Sequence, residues 1–269
     1  GLRPTSYYDA AFVQKLAVAL EVPCTVVSVS IGNGSPEAAA RDARYGALAK
    51  VAADQDAAVI AVGHTLNDQA ETVLLHIVRG SGLTGLRAMS VFSDLSIDNG
   101  QGIKIFRPLL GVSRSETDAF CDELGLAPIQ DHTNLDTTIP RNLLRIEAIP
   151  LLETLNPKLV EGLRRLTDTV SIDLDYIDSR LDEVWPDLVK QSGQIAKLKR
   201  DLFNALHPSL QRYALRMVYE GILGSAAGLE YVHLENMLML TQGAAGKVLT
   251  LPGGVCMEAR HEGILLFPP

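Results

Sequence analysis

Cysteine is scarce in this 269-residue sequence, and the three cysteines that occur are far apart. Cys24, Cys121 and Cys256 form no Cys-x-x-Cys pair, so the spacing of structural zinc sites and of paired redox cysteines is absent. Isolated cysteines are typical of free thiols in a reducing compartment. We therefore expect a cytoplasmic protein without a structural zinc ion.

Long hydrophobic runs are also missing. No uninterrupted apolar run approaches the ~18–20 residues that a membrane-spanning helix requires, so no membrane contact is expected. The sequence shows no signal-peptide pattern, no tandem repeat and no low-complexity tract. Its apolar fraction of 47% is typical of a globular protein, and its length is sufficient for two domains.

Positive charge is in deficit, with a formal net charge of −8. Such a balance argues against a uniformly basic surface, but global charge says little about a local binding site. The stretch from Arg141 to Arg165 is mildly basic and permits contact with nucleic acid.

Strands and helices alternate over the first half of the sequence, which predicts a parallel, layered α/β sheet. Helices are predicted over 9–20 and 68–79, a third begins at Ser35-Pro36, and a fourth begins with a capping box at Ser113–Glu116 and ends at Gly125. Strands are predicted over 24–31, 58–62 and 104–106. Residues 80–102 are rich in Gly, Ser, Asp and Asn. We expect them to form a mobile loop over the site, with Leu86 and Met89 contacting the body.

The second half begins with a long helix that follows Asn156-Pro157 and extends to about Val184. Trp185-Pro186 and the polar stretch 191–199 indicate a boundary. Helices over 208–223 and 232–240, followed by short antiparallel strands over 247–251, 255–258 and 263–267, predict a small α+β domain. The expected parts are 1–155, a linker helix over 156–190, and 191–269.

Polar residues are concentrated where the apolar strand 58–62 stops at Gly63. His64, Asn67, Asp68 and Glu71 follow within eight residues, while a helix begins. In open α/β sheets, ligands bind at the carboxyl end of a strand that faces a helix N-terminus. Asp68 and Glu71 also have the spacing of a capping box, which would only start the helix. A cap does not explain His64, Asn67 and Gln69, so the block predicts a functional site.

This block resembles the signature of the tRNA(Ile)-lysidine synthases, a branch of the PP-loop ATP pyrophosphatases. That signature reads His-x-x-Asp-Asp-Gln-x-Glu-Thr and is followed by Arg-Gly-(Ser/Thr)-Gly, which is similar to residues 79–82. Segments 37–45, 107–110 and 131–145 are similar to further motifs of the family, in the same order. The resemblance implies a Rossmann-like sheet of the PP-loop ATPase type, a catalytic domain over 1–155 and a substrate- or tRNA-binding domain over 191–269.

Two departures from the family pattern stand out. The ATP-binding Ser-Gly-Gly-x-Asp-Ser loop is absent, and Gly1-Leu2-Arg3-Pro4 resembles a segment that lies downstream of that loop. We therefore expect a sequence truncated at its N-terminus, without its first strands and inactive by itself. Asn67 stands where the family usually has aspartate, which leaves Asp68 as the expected metal-binding carboxylate.

The resemblance implies ATP-dependent ligation of lysine to the wobble cytidine of isoleucine tRNA with a CAU anticodon, through an adenylated cytidine. ATP and Mg²⁺ are the implied cofactors, and the tRNA and L-lysine are the implied partners. Two alternatives stay open: a tRNA-thiolating PP-loop enzyme, against which the lack of paired cysteines argues, and a degenerate, non-catalytic tRNA-binding protein. The oligomeric state also stays open, with a homodimer as one option.

The resemblance also assigns roles to individual residues, each with a simpler structural alternative. The catalytic set is His64, Asn67 and Asp68, and Asp68 also serves as metal ligand. The nucleotide-binding set consists of arginines, which elsewhere are often only solvated: Arg41, Arg44, Arg79 and Arg107. The nucleic-acid-binding set is Asp131, Asn134, Arg141 and Arg145, of which the first two can also simply form turns.

Overall fold

The computed structural model describes residues 6–30, 36–95, 102–129 and 131–268. The chain divides into two compact units, Gly1–Val170 and Ser171–Pro269. The division into three parts at 155 and 190 stays a prediction. No described helix is both long enough and apolar enough to cross a membrane.

The first unit is built mainly from helices around a small sheet. Its elements in chain order are α1 (Ser6–Ala19), α2 (Pro36–Asp54), β1 (Val59–Ala61), α3 (Leu66–Val78), α4 (Leu83–Leu86), β2 (Phe92–Asp94), β3 (Lys104–Phe106), α5 (Arg114–Glu123), α6 (Pro140–Leu143), α7 (Ile149–Leu155) and the start of α8 (Leu159–Leu188). The described strands pair in the order β1-β3-β2, with β1 parallel and β2 antiparallel to β3. The predicted α/β fold class is confirmed, although the described sheet is mixed.

Two hydrophobic clusters hold this unit together. Ile60 and Ile105 lie at the centre of the sheet, and the buried face of α2, with Tyr45 and Ala49, packs against them. In the second cluster, the apolar face of α3 packs against the later helices. Its buried members are Leu66, Ala70, Val73, Ile149, Val160 and Leu163. The two clusters fix both sides of the β1–α3 junction.

Two sequence-based predictions in this unit are wrong. Residues 24–30 form no strand, although they are rich in β-branched residues, and Val26 and Val27 are about half exposed. A strand needs a hydrogen-bonded partner, and no described strand pairs with this segment. The predicted loop over 80–102 instead contains α4 and β2, because the backbone of 92–94 finds a partner in β3. Within it, Leu86 packs on the α3 cluster as predicted. Residues 96–101, together with Gly1–Pro4 and Ser35, lie outside the described residues.

The segment 140–155 contains a π-helical turn, Leu144–Ala148, between α6 and α7. The Ile149 N–H donates to the carbonyl of Leu144, five residues earlier. Pro150 has no N–H, and its ring would clash with the carbonyl four residues before it, so a wider turn is favoured at this point. The widened turn lies beside Arg145, within the predicted site.

The second unit is a small α+β module, as predicted. Its elements are the end of α8, β4 (Val189–Ser192), β5 (Ile195–Lys199), α9 (Arg200–Ala205), α10 (Pro208–Leu223), α11 (Tyr231–Gln242), β6 (Val248–Thr250), β7 (Cys256–Ala259) and β8 (Gly263–Phe267). The strands form an antiparallel sheet in the order β4-β5-β8-β7-β6. One face of this sheet is buried, through residues such as Leu198 and Leu266.

Helix α8 does not end at Trp185-Pro186, where the sequence indicates a boundary. Helix α8 continues through Pro186 to Leu188, because a proline so near the helix end removes only one hydrogen bond and the following Leu188 and Val189 are buried in the core. The polar stretch 191–199 contains the turn of the β4–β5 hairpin and strand β5, in which exposed and buried residues alternate.

Candidate active site

The site begins at the turn between β1 and α3. Thr65 is the N-cap of α3, and Oδ2 of Asp68 accepts hydrogen bonds from the Thr65 backbone N–H at 2.8 Å and from its hydroxyl at 2.9 Å. The capping box therefore joins Thr65 to Asp68, which corrects the predicted pairing of Asp68 with Glu71. The helix starts two residues earlier than predicted for the same reason. Asp68 keeps its second carboxylate oxygen directed away from the cap.

Glu71 is not a cap but the centre of an ion cluster. Its side chain is 1% exposed and accepts from Nε of Arg145 at 2.6 Å and from Nη2 of Arg145 at 3.0 Å. Nε of Arg141 lies 3.2 Å from the same carboxylate, an ionic contact whose angle does not make a hydrogen bond. Hydrogen bonding to Glu71 raises the pKa of Arg145 above its ordinary value.

Two further contacts close this cluster. Nη2 of Arg145 reaches Oδ1 of Asp68 at 3.3 Å, and Nη2 of Arg141 donates to the Thr72 hydroxyl at 2.6 Å. Two carboxylates and two guanidinium groups thus neutralise one another. Arg141 and Arg145, predicted as ligands of nucleic acid, keep about a quarter of their side-chain surface exposed beside α3.

A second cluster, of cations, lies at the carboxyl ends of β1 and β3. Arg107 follows β3 and is 6% exposed, and its Nη1 donates to the carbonyl of Ser90 at 2.8 Å and the hydroxyl of Ser93 at 3.0 Å. Its Nε has no hydrogen-bond partner among the described residues. Burial lowers the pKa of Arg107, with Tyr45 opposing the effect. No carboxylate among the described residues pairs with this buried guanidinium, which is therefore suited to an anionic ligand.

Helix α2 brings two more arginines to this cluster. The guanidinium carbons of Arg41 and Arg44 each lie 5.5 Å from the centre of the Tyr45 ring, a distance within the range of cation–π contacts. Tyr45 is itself buried. The ring therefore contacts both arginines, the predicted nucleotide ligands, and both are exposed.

His64 lies between the ion cluster around Glu71 and the cation cluster around Arg107. Burial is the main cause that lowers the pKa of this imidazole; Asp68 opposes the shift, and the charges of Arg107, Arg141 and Arg41 reinforce it. Its Nδ1 is buried and has no hydrogen-bond partner among the described residues. His64 is therefore held as a neutral imidazole within a positive potential, which can attract a phosphate group and can accept a proton.

Asn67 joins two helix N-termini. Its Oδ1 accepts from the backbone N–H of Arg114 at 2.8 Å, at the start of α5. Ser113 and Glu116 form the predicted capping box there, with the Ser113 N–H donating to Glu116 at 2.8 Å. A small pocket of about 50 Å³ lies between the two helix ends and is lined partly by Asp68. Arg114 and Arg145 also line an adjoining pocket of about 490 Å³.

The remaining predicted residues are more peripheral. Oδ1 of Asp131 accepts from the backbone N–H and the hydroxyl of Thr133, so this residue shapes a turn, and both Asp131 and Asn134 line the larger pocket. Arg79 is exposed at the C-terminal end of α3, eleven residues or about 16 Å along the helix from Asp68.

Two buried amides, Gln69 and Asn142, receive no individual role from the sequence. Asn142 donates to the carbonyls of Thr133 and Asp136, both at 2.9 Å, and so fixes the turn that carries Asp131. Gln69 is 4% exposed and binds the backbone of Met89. Both lie within the motifs quoted above, but the spacing of a motif does not show which of its members face inward.

Asp68 is the described carboxylate best placed for a metal ion. Among the described residues, no group of three or more His, Cys, Asp or Glu side chains is gathered for a metal. The Asp68 side chain is 22% exposed on the rim of the small pocket, and a carboxylate with three hydrogen bonds still has free lone pairs. This fits Mg²⁺, which commonly takes one or two protein carboxylates together with phosphate and water.

Comparison with known sequences agrees with this geometry. A family model described as the PP-loop domain matches residues 1–152, more than half of the chain, so the chain is a PP-loop protein. Curated relatives include the tRNA(Ile)-lysidine synthase of Dehalococcoides mccartyi, 36% identical over 96% of this chain and 56% of the relative. That of Thermosynechococcus vestitus is 32% identical over 99% of this chain and 75% of the relative. The chain belongs to the tRNA(Ile)-lysidine synthase family.

These comparisons also show how much of the relatives is matched. The chain spans about half the length of the first curated relatives, 56% in both Dehalococcoides mccartyi and Clostridioides difficile. Among solved structures, a U34-tRNA thiolase from Methanococcus maripaludis overlaps 60% of this chain and 56% of its own, with 19% identity and a TM-score of 0.42.

Proposed function

We propose that the protein containing this chain ligates lysine to the wobble cytidine of isoleucine tRNA with a CAU anticodon, using ATP, in the cytoplasm. The observation that carries the proposal is the position of Arg41, Arg107 and His64 beside Asp68, at the carboxyl ends of parallel strands. Phosphate groups bind at such strand ends in open α/β sheets. The names of the relatives supply the nature of the reaction.

The first step requires a cationic surface for the phosphates. In it, the 2-keto oxygen of cytidine attacks the α-phosphorus of ATP, and the bond to pyrophosphate breaks. Arg107 and Arg41 are placed to stabilise the charge that develops on the phosphate oxygens. Asp68 would hold Mg²⁺, which when bound neutralises phosphate charge.

The second step requires an uncharged amine. The side-chain amine of lysine attacks C2 of the activated cytidine, and AMP leaves with the oxygen that was adenylated. The nitrogen loses its protons in the process, and His64 is a neutral imidazole that can accept one. Asp68 can orient the amine through Oδ1, the oxygen that the helix cap does not use.

The target base must reach this site in an extruded form. The pocket of about 490 Å³ adjoins the Asp68 pocket and contains Asp131, Asn134 and Arg145 in its wall. We assign these residues and Arg141 to contact with the anticodon loop. The second unit supplies further tRNA contacts through the lysines of its β4–β5 hairpin.

The test is mass spectrometry of the tRNA. Full-length protein, lysine, ATP and a CAU isoleucine tRNA are incubated, and the anticodon fragment is expected to gain the mass of lysine less water. Asp68→Asn keeps an acceptor for Thr65 and is expected to reduce the rate at least about 100-fold. Asp168→Asn, in an exposed ion pair on α8, serves as the matched control and should react at the wild-type rate. An unmodified tRNA with wild-type protein, or full activity of Asp68→Asn, would overturn the proposal.

A further inference from the structure

The side chain of Gln69 forms an unusual link across the first unit. It lies in the first turns of α3, is 4% exposed, and uses both ends of its amide on one residue twenty positions away. Nε2 donates to the carbonyl of Met89 at 2.8 Å, and the Met89 N–H donates to Oε1 at 3.0 Å. The two bonds resemble those between paired β-strands. They satisfy the backbone N–H and C=O of Met89, which lies in the connection between α4 and β2.

The backbone is strained at the residue just before this link. Ala88 has a φ of +50°, in the left-handed region that residues with a β-carbon rarely adopt. Such conformations persist only when neighbouring contacts hold them, and they are frequent near functional sites. The Ala88 N–H is bonded to the carbonyl of Gly85, and the Gln69 amide holds the next residue. The strained residue is thus fixed on both sides.

The segment that follows holds Arg107. We name residues 88–93 the strap. Within it, the carbonyl of Val91 accepts from the Arg107 backbone N–H at 2.9 Å. The carbonyl of Ser90 and the hydroxyl of Ser93 accept from Nη1 of the same residue. The strap therefore fixes both the backbone and the guanidinium of Arg107, and Gln69 fixes the strap to α3.

We propose that Gln69 is a positioning residue: by pinning the strained strap to the helix that carries Asp68, it sets the place of the Arg107 guanidinium relative to that carboxylate. The assignment of Arg107 to the phosphates of ATP rests on the proposed function, whereas the pinning of the strap does not. Gln69 touches neither substrate nor reacting atoms, and its effect is transmitted through Met89, Ser90 and Ser93.

The decisive variants are Gln69→Met, Ala88→Gly and their combination in the full-length protein. Methionine has a similar length and no amide, so the strap is released and Ala88 can relax. The KM for ATP is expected to rise about tenfold, with a smaller change in kcat, because binding of the phosphates is lost in ground and transition states alike. Ala88→Gly adopts a positive φ without cost. In the otherwise wild-type protein, it should leave the KM for ATP unchanged. Added to Gln69→Met, it should bring the KM for ATP most of the way back to the wild-type value.

A matched control separates positioning from general stability. Asn142→Leu removes the other buried amide described in this unit, and any loss that it causes should not be relieved by Ala88→Gly. Ser93→Ala removes one acceptor of Arg107 without touching α3, and it should also raise the KM for ATP. That variant keeps the proposal testable if Gln69→Met does not fold.

Hydrogen exchange of the Met89 amide gives a readout that does not depend on activity. It should become faster in Gln69→Met and stay fast in the double variant, because Ala88→Gly supplies no acceptor for the Met89 N–H. Unchanged exchange overturns the pinning whether or not the protein makes lysidine. Faster exchange with an unchanged KM for ATP in an active enzyme overturns the link to Arg107. If wild-type protein makes no lysidine, the proposed function fails, and the exchange experiment still decides on the pinning.

Discussion

At the residue scale, the carboxylate of Glu71 links α3 to the helical segment 140–155 through ion pairs. It is almost fully buried, and two guanidinium groups from about seventy residues further along the chain converge on it. Burying a lone carboxylate is costly, but here both partners are present and Arg145 binds through two nitrogens. Removal of the carboxylate takes away the ionic partner of Arg141 and leaves half-buried Arg145 with its 3.3 Å contact to Asp68.

Glu71→Ala is therefore expected to lower the free energy of unfolding by about 3 kcal/mol, since breaking a buried pair strands its partner charges. The comparison is Asp168→Ala, whose partner Arg164 lies on the exposed surface of α8, with side chains 46% and 57% exposed. That change should cost about 0–1 kcal/mol. Urea denaturation of both variants measures the difference, and equal losses would show that Glu71 is not a buried anchor.

The buried His64 makes stability depend on pH. Since its pKa is lowered in the folded protein, the unfolded chain takes up a proton first as the pH falls through the ordinary value of 6.5. Stability is then lost from that pH downward, until the folded imidazole is also protonated. His64→Gln should lose less stability than the wild type between about pH 7 and pH 5. Parallel curves of unfolding free energy against pH would contradict the shift.

Much of the site's composition could be predicted from the sequence, but its internal partners could not. The pattern placed His64 and Asp68 at a strand end, and the structure has them there. The four-residue spacing of Arg141 and Arg145 predicted a shared face, and both do reach Glu71. Periodicity shows which side of a helix a residue occupies, but not which residue seventy positions away it meets.

At the scale of elements, the connection from α3 through α4 is compact. The Ser81 N–H bonds to the carbonyl of His76, and Gly80 adopts a φ of +73°. Gly85 lies so close beneath Ser81 that a β-carbon there would be 2.5 Å from the β-carbon of Ser81. The segment that leads to the strap is therefore closely packed rather than a loose loop.

Gly85→Ala and Gly46→Ala are expected to change stability in opposite directions. The first forces Ser81 and its backbone to move and should cost about 1–3 kcal/mol. The second lies inside α2 with no neighbouring atom within 4 Å, and alanine should stabilise the helix there by about 0.5–1 kcal/mol. Thermal unfolding measures whether the melting temperature falls in Gly85→Ala and rises in Gly46→Ala. A stable Gly85→Ala variant would show that the close approach can be relieved.

Elements with local signals were predicted better than elements that depend on partners. Capping residues and proline located the starts of α5 and α10, which depend on a few adjacent residues. The segment 24–30 has strand-forming side chains, yet pairing depends on another strand. Strand β2 was missed for the converse reason, since its pairing with β3 outweighs a polar, loop-like composition.

At the scale of the whole molecule, charge is distributed unevenly. The chain carries a net charge of −8, yet Lys190, Lys197 and Lys199 are all exposed on the β4–β5 hairpin. Lys190 and Lys197 lie directly opposite each other across the strands. Like charges in such positions are unfavourable unless an anion lies between them. The hairpin therefore offers three exposed cations to the tRNA phosphates proposed as its ligand.

Replacing these three lysines by glutamine should weaken tRNA binding and reduce its dependence on salt. Each lost phosphate contact lowers the slope of log affinity against log salt concentration by about 0.7–0.9, so loss of three contacts should change it by about two to three. A double variant of Lys15 and Lys50, on α1 and α2, is the control and should keep the slope. Filter binding over a salt series measures it. An unchanged slope in the triple variant would remove the hairpin from the tRNA interface.

We propose that the cations at the ends of β1 and β3 bind the phosphates of ATP beside Asp68. A crystal structure of the full-length protein with Mg²⁺ and a non-hydrolysable ATP analogue shows whether they do. We expect phosphate oxygens within hydrogen-bond distance of Arg107 or Arg41, and the metal within reach of Asp68. A fully bound nucleotide that none of these three side chains contacts would contradict it.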